Sequence, residues 1–275
     1  MAKKIFIDPG HGGDDPGAVN GKRKESDDVL MLSLLVAEEL KAQDIEVALA
    51  RADDKNVPGI NSRVSSANSW GADFYLSIHR NAAAASASGN EIWILSSLKG
   101  KSGQNEKQAK SILDAVCAVD KLPNRGVKFG AVSYTDYGVN SGTKMNSALL
   151  ELGFISNSKD NEAFDRHYLD HAKAITRALC EAVGVEYKDT DSVSEPAPTP
   201  ESQIPNPPQE SGFAALDATR ALRISARLGK PPTLREWLMY DIDRDGAVTA
   251  LDARTILKVS ARLVPIDGYF KREAL

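Results

Sequence analysis

Cysteine is almost missing from this 275-residue chain: Cys117 and Cys180 are the only two, too few for a disulfide framework. Cys117 falls in step with Ala109, Ile112, Leu113 and Val116 at helical spacing, so it reads as core filler. An excess of positive charge is missing too. With 34 Lys and Arg against 38 Asp and Glu, the net charge is −4. That gives no basic stripe and no case for nucleic acid as a partner. Long apolar runs are also lacking. The N-terminus sets Lys3 and Lys4 before Ile5-Phe6-Ile7 alone, whereas a signal-peptide core takes about 7–15 apolar residues and a membrane span about 20. The expectation is a soluble protein with no signal peptide and no membrane insertion, made in the cytoplasm. At 42% hydrophobic, the chain can still bury a substantial core.

Composition divides the chain. Between Ser192 and Gln209 the sequence SVSEPAPTPESQIPNPPQ offers Val193 and Ile204 as its only larger apolar residues, and its prolines favour an extended spacer. We therefore place a first domain at 1–188, a linker at 189–211 and a second domain at 212–275. The first domain alternates strand and helix signals, the pattern of an α/β fold. Strands are expected at Lys4–Asp8, Glu46–Arg51, Phe74–His79, Glu91–Ser96, Ala131–Tyr134 and Leu149–Gly153. Helices are expected at Asp28–Ala42, Ile60–Trp70, Glu106–Leu122 and Asn161–Val183. The fold class is a single, mostly parallel sheet of about six strands flanked by helices, followed by a small all-α domain.

Ligands of open α/β sheets gather at the carboxyl ends of strands. His11 follows the first strand in Asp-Pro-Gly-His-Gly-Gly, His79 ends Phe-Tyr-Leu-Ser-Ile-His, and Glu151 closes Ala-Leu-Leu-Glu. Three groups able to bind metal or move protons thus converge on one sheet edge. His167 and His171, four apart on a helix, form a competing pair. Their segment, His-Tyr-Leu-Asp-His, lacks the glutamate of the helical metalloprotease motif and runs beside an apolar stripe, so helix packing is the better reading. In the charged run Lys22–Asp28, Ser26 or Asp27 is a candidate helix cap, and Asp28 suits the helix dipole.

A larger pattern joins these residues. Asp8-Pro-Gly-His-Gly-Gly-Asp-Asp-Pro-Gly-Ala18, Glu25, Arg51 with Asp53-Asp54, Asn61-Ser-Arg63, Ala67-Asn68 and Ala72-Asp73 come first. Ser77-Ile-His-Arg-Asn-Ala82 and Leu150-Glu-Leu-Gly-Phe-Ile-Ser-Asn157 follow, in order across almost all of 1–185. This set resembles the zinc-dependent N-acetylmuramoyl-L-alanine amidases of the Amidase_3 type. The resemblance implies His11, Glu25 and His79 as zinc ligands and Glu151 as the catalytic glutamate. It implies bacterial peptidoglycan as substrate, cut at the amide between the muramoyl lactyl group and L-alanine. Two imidazoles and a carboxylate suit a catalytic zinc with one open position. Asp8, Asp15, Asn81 and Asn157 read as residues that hold ligands or fix their loops. A zinc carboxypeptidase is the nearest enzymatic alternative, and a wall-binding protein without activity is disfavoured because all four site residues are intact.

The second domain repeats itself. Ala215–Leu228 reappears as Ala250–Leu263, 35 residues later. Asp241-Ile-Asp-Arg-Asp-Gly-Ala-Val-Thr-Ala-Leu-Asp252 matches a 12-residue calcium loop. In it Asp241, Asp243, Asp245 and Asp252 supply side-chain oxygen, Ala247 a carbonyl, and Gly246 the turn. The repeat with this EF-hand-like loop resembles a dockerin. The first copy puts Pro208 and Ser211 where the pattern needs a ligand and a glycine, so one calcium is expected. The resemblance implies a cohesin-like partner; the degenerate first copy favours wall targeting or self-association. Without an export signal, a phage endolysin suits the sequence better than a secreted autolysin.

Overall fold

The computed structural model describes residues 2–189 apart from 56, 133 and 134. Contacts divide the chain into Met1–Thr190 and Asp191–Leu275. The expected linker beyond Asp189, the dockerin-like domain and its calcium loop Asp241–Asp252 lie outside the described residues.

Six strands form the sheet: β1 (Lys4–Pro9), β4 (Glu46–Leu49), β5 (Phe74–Asn81), β6 (Asn90–Ile94), β7 (Asn124–Phe129) and β8 (Asn146–Phe154), in the order β4-β1-β5-β8-β6-β7. Neighbours are parallel except β6 against β8. A small hairpin, β2 (Val19–Asn20) with β3 (Arg23–Lys24), leads into α1 (Glu25–Lys41). The other helices are α2 (Ile60–Trp70), α3 (Gln104–Asp120), the short α4 (Gly138–Ser141) and α5 (Ser158–Val183).

Side-chain alternation assigns the faces. Phe6, Tyr75 and Leu149 share one face and pack with Ala67 of α2 and Val139 of α4. Between them, Phe74, Leu76 and Ile78 point to the other face and are completely buried, on the side where α1, α3 and α5 cover the sheet. Arg80 ends that second row. It is 2% exposed and donates to Asp28 of α1 (2.6 Å) and Asn161 of α5 (2.7 Å), which ties two helices to the end of β5. The thinner α2/α4 face leaves the carboxyl ends of β1, β5 and β8 open to a cleft of about 730 Å³.

Three local expectations need correction. The last edge strand is Asn124–Phe129 and not Ala131–Tyr134; Ala131 and Val132 lie outside any strand. As an edge, β7 is only partly buried, so its polar sequence carries no strong strand signal, and its pairing with β6 decides it. Second, α1 begins at Glu25, and neither Ser26 nor Asp27 caps it. The amides of Glu25 and Ser26 instead donate to Ala18 O (2.9 Å) and Pro16 O (3.1 Å), so the preceding loop satisfies the helix end. Third, α5 starts three residues early, because the Asn157 side chain accepts from the amides of Lys159 and Asp160.

Candidate metal centre

The loop after β1 turns sharply through His11, whose φ of 57° is a left-handed conformation uncommon for a non-glycine residue. Its backbone is held from behind. Arg63 of α2 donates to His11 O (2.8 Å) and Pro9 O (2.9 Å), and pairs with buried Asp8 at 2.8 Å. Tyr75 and Ser77 also donate to Asp8, at 2.7 and 2.9 Å. Asp8 thus lines the cleft and fixes the loop, while Asp15 contacts His11 itself, with Oδ2 2.8 Å from His11 Nδ1.

This arrangement points His11 Nε2 at Glu25 Oε1, 3.2 Å away. His79 Nδ1 stands 2.9 Å from the same oxygen. Glu25 is fixed by backbone: Arg80 N donates to Oε1 (3.0 Å) and Ala18 N to Oε2 (2.9 Å). Donor atoms of His11, Glu25 and His79 all lie within 4.8 Å of one another, and among the described residues no other three His, Cys, Asp or Glu meet this condition. Space for the rings depends on missing side chains. A Cβ on Gly10 would lie 2.3 Å from the His79 ring, and one on Gly17 would lie 2.6 Å from His11 and 2.7 Å from Glu25.

The electrostatics ask for positive charge here. Burial disfavours ionised Glu25, yet hydrogen bonds and attraction from both histidines outweigh it and hold the carboxyl well below the usual range. Burial likewise disfavours charged His11, but Glu25 and Asp15 raise its pKa. A divalent cation would take the place of those protons, since metal ligands must be deprotonated. The donor set therefore fits a metal of the zinc type, with two imidazoles and one carboxylate from the protein.

Glu151 faces His79 directly in the β5/β8 register. It lines the same cleft as His11 and His79, is buried, and its Oε2 has no hydrogen-bond partner among the described residues. Burial, then the charges of Glu25 and Glu91, push its pKa well above the ordinary value. Asn157 and Asn81 act at a remove: Asn157 caps α5, and Asn81 donates to Glu91 at 2.8 Å. The helical pair does not form a comparable site. His171 is buried against Asp120 at 3.1 Å, and His167 lies 3.3 Å from Asp170.

Sequence reasoning missed Glu91 and Tyr137. Glu91 opposes Glu151 across β6/β8, is 3% exposed, and accepts from Asn81, Trp93 and Arg125. Its signal was a lone acid near the start of a strand whose partner could not be known. Tyr137 lines the cleft from the segment before α4, where no motif marked it.

Comparison with known proteins shows the family. A family profile described as N-acetylmuramoyl-L-alanine amidase matches residues 5–181. The N-acetylmuramoyl-L-alanine amidase CwlM of Bacillus licheniformis is 34% identical over 161 residues, 58% of this chain and 59% of that protein, so the chain spans less than two thirds of that relative. The crystal structure of N-acetylmuramoyl-L-alanine amidase from Clostridium difficile 630 matches with a TM-score of 0.60 at 28% identity, covering 66% of this chain and 97% of that one. The catalytic domain of CwlV from Bacillus (Paenibacillus) polymyxa var. colistinus gives 0.59 at 28% identity, over 67% and 99%. With the profile covering most of the chain, this protein belongs to the Amidase_3 family of N-acetylmuramoyl-L-alanine amidases.

Proposed function

We propose that this chain hydrolyses the amide between the N-acetylmuramoyl group and L-alanine in peptidoglycan, with zinc held by His11, Glu25 and His79. The observation that carries the reading is Glu151: buried, facing His79, and free at Oε2 beside the three-donor cluster. When bound, zinc supplies a Lewis acid for the scissile carbonyl and acidifies water. Glu151 Oε2 takes the proton of the attacking water and delivers it to the leaving nitrogen of L-alanine. Its buried, anion-flanked setting makes it a stronger base than an exposed carboxylate. Asp15 orients the His11 ring through Nδ1, and Arg63 with Asp8 keeps the loop in its strained turn.

The test is to digest purified peptidoglycan and identify the new ends. Free L-alanine amino termini, lost on chelation and in Glu151→Gln, support the proposal. New reducing sugars, or cuts within the stem peptide, would sink it. For the C-terminal region the proposal rests on sequence alone: one calcium held by Asp241, Asp243, Asp245, Ala247 and Asp252 in a dockerin-like module used for wall targeting or self-association, on an endolysin or autolysin. A calorimetric stoichiometry of two calcium ions would refute the single-site reading.

A further inference from the structure

The cleft is chemically two-sided. One wall, from the loops after β1 and β4, carries Asp14, Asp15, Asp54 and Lys55. The other, Tyr137, Gly138 and Val139, carries no charge. Beyond Gly138 a second hollow of about 300 Å³ opens between α2 and α4 and shares that residue with the cleft. Asn61, Ser65, Asn68 and Ser69 line it, with Lys144 as its single charge.

The uncharged wall is tied to the sheet. Tyr137 stands edge-to-face on Trp93, with ring centroids 5.6 Å apart at 83°. Trp93 Nε1 donates to buried Glu91 at 3.2 Å, and its carbonyl accepts from Asn140 at 3.0 Å. The furrow's width depends on absent side chains, since a Cβ on Gly138 would meet Ile60 at 3.1 Å and one on Gly142 would meet Val64 at 2.8 Å.

A peptidoglycan strand presents two chemistries on either side of the scissile amide. The glycan is uncharged, with hydroxyl and acetamido groups and apolar ring faces; the stem peptide carries carboxylates and amines. Building on the amidase reading, we propose that the Tyr137 wall and the α2/α4 furrow receive the glycan strand, and that the charged wall receives the stem peptide. Tyr137 offers an aromatic ring to a pyranose, and the furrow offers amide and hydroxyl partners with Lys144 as the single charge to desolvate.

Two variants and three substrates test this. The substrates are polymeric peptidoglycan, a disaccharide-peptide released from it, and a sugar-free lactoyl-peptide. Tyr137→Leu raises KM for the disaccharide-peptide about three- to tenfold, the loss of one aromatic contact, and leaves the lactoyl-peptide unchanged. Ser65→Trp, at an exposed position of α2, fills the furrow and raises KM for the polymer alone. Equal loss on both small substrates in Tyr137→Leu, or wild-type digestion of the polymer by Ser65→Trp, overturns the proposal. Should Tyr137→Leu fail to fold, Ser65→Trp decides. A wild-type protein that cleaves none of the three refutes the amidase reading itself, whereas cleavage with no dependence on sugar refutes only this orientation.

Discussion

Gly10 is followed immediately by His11, and its amide donates to Ile78 O at 3.0 Å. Its φ is not positive, so alanine meets no backbone strain there. The conflict is purely spatial: the new Cβ would stand 2.3 Å from His79 Cε1 and 2.6 Å from both ring nitrogens. Ordinary carbon contacts sit at about 3.5–4.0 Å, so the ring must retreat by roughly 1 Å. Metal sites tolerate about 0.2 Å in ligand distance. Gly10→Ala should therefore weaken zinc binding by about 10–100-fold, the scale seen when ligand supports are lost. Activity at limiting zinc should fall by about 10²-fold. The metal-free protein should lose no more than about 2.6 kcal/mol, because overpacking costs about 1–3 kcal/mol while the stiffer unfolded chain returns about 0.4–1. Zinc affinity by competition with a chromophoric chelator, with urea unfolding in EDTA as control, separates the two effects. A folded Gly10→Ala protein with wild-type zinc affinity would refute the crowding argument.

Other predictions follow from the same contacts. Glu151→Gln keeps the shape and should retain zinc while losing about 10²–10⁴ in kcat, read by stopped peptidoglycan digests; His167→Ala should change neither quantity. Asp160 is fully buried and accepts from Ser88 Oγ (2.6 Å), Gly89 N (3.0 Å) and Phe154 N (2.8 Å). Asp160→Ala strands two buried amides and should cost about 2–6 kcal/mol in denaturant unfolding; a loss under 1 kcal/mol would contradict this. Burial opposes the charge on Asp120, but hydrogen bonds from His171 and Asn90 outweigh it and lower its pKa. A depressed folded pKa gives stability present above the unfolded value, about 3.9, and lost as pH falls through the folded one. Asp120→Asn should therefore flatten the stability curve below about pH 4, and an unchanged acid limb would refute the assignment.

Much of the fold is legible locally. Ile5-Phe6-Ile7 before Asp-Pro-Gly, and Leu149–Leu152 before Gly153, are buried central strands that read as largely apolar runs. What failed were elements defined by distant partners. Strand β7 depends on β6 for its hydrogen bonds, and the start of α1 is closed by Pro16 and Ala18 rather than by a capping side chain.

The sequence by itself determined which groups could serve: two histidines and a glutamate at strand ends, and a glycine-rich turn with room for imidazole. Only the tertiary structure chose among the acids of one helical turn. Glu25 is held toward the histidines by the amides of Ala18 and Arg80, Asp28 is taken by Arg23 and Arg80, and Asp27 is exposed. It also set His79, Glu151 and Glu91 in one row across three strands. Periodicity reports which face a residue occupies, but the depth of burial and the nearness of one charge to another arise from contacts far apart in the chain, and those decide which carboxylate is presented to the histidines and which has its pKa raised.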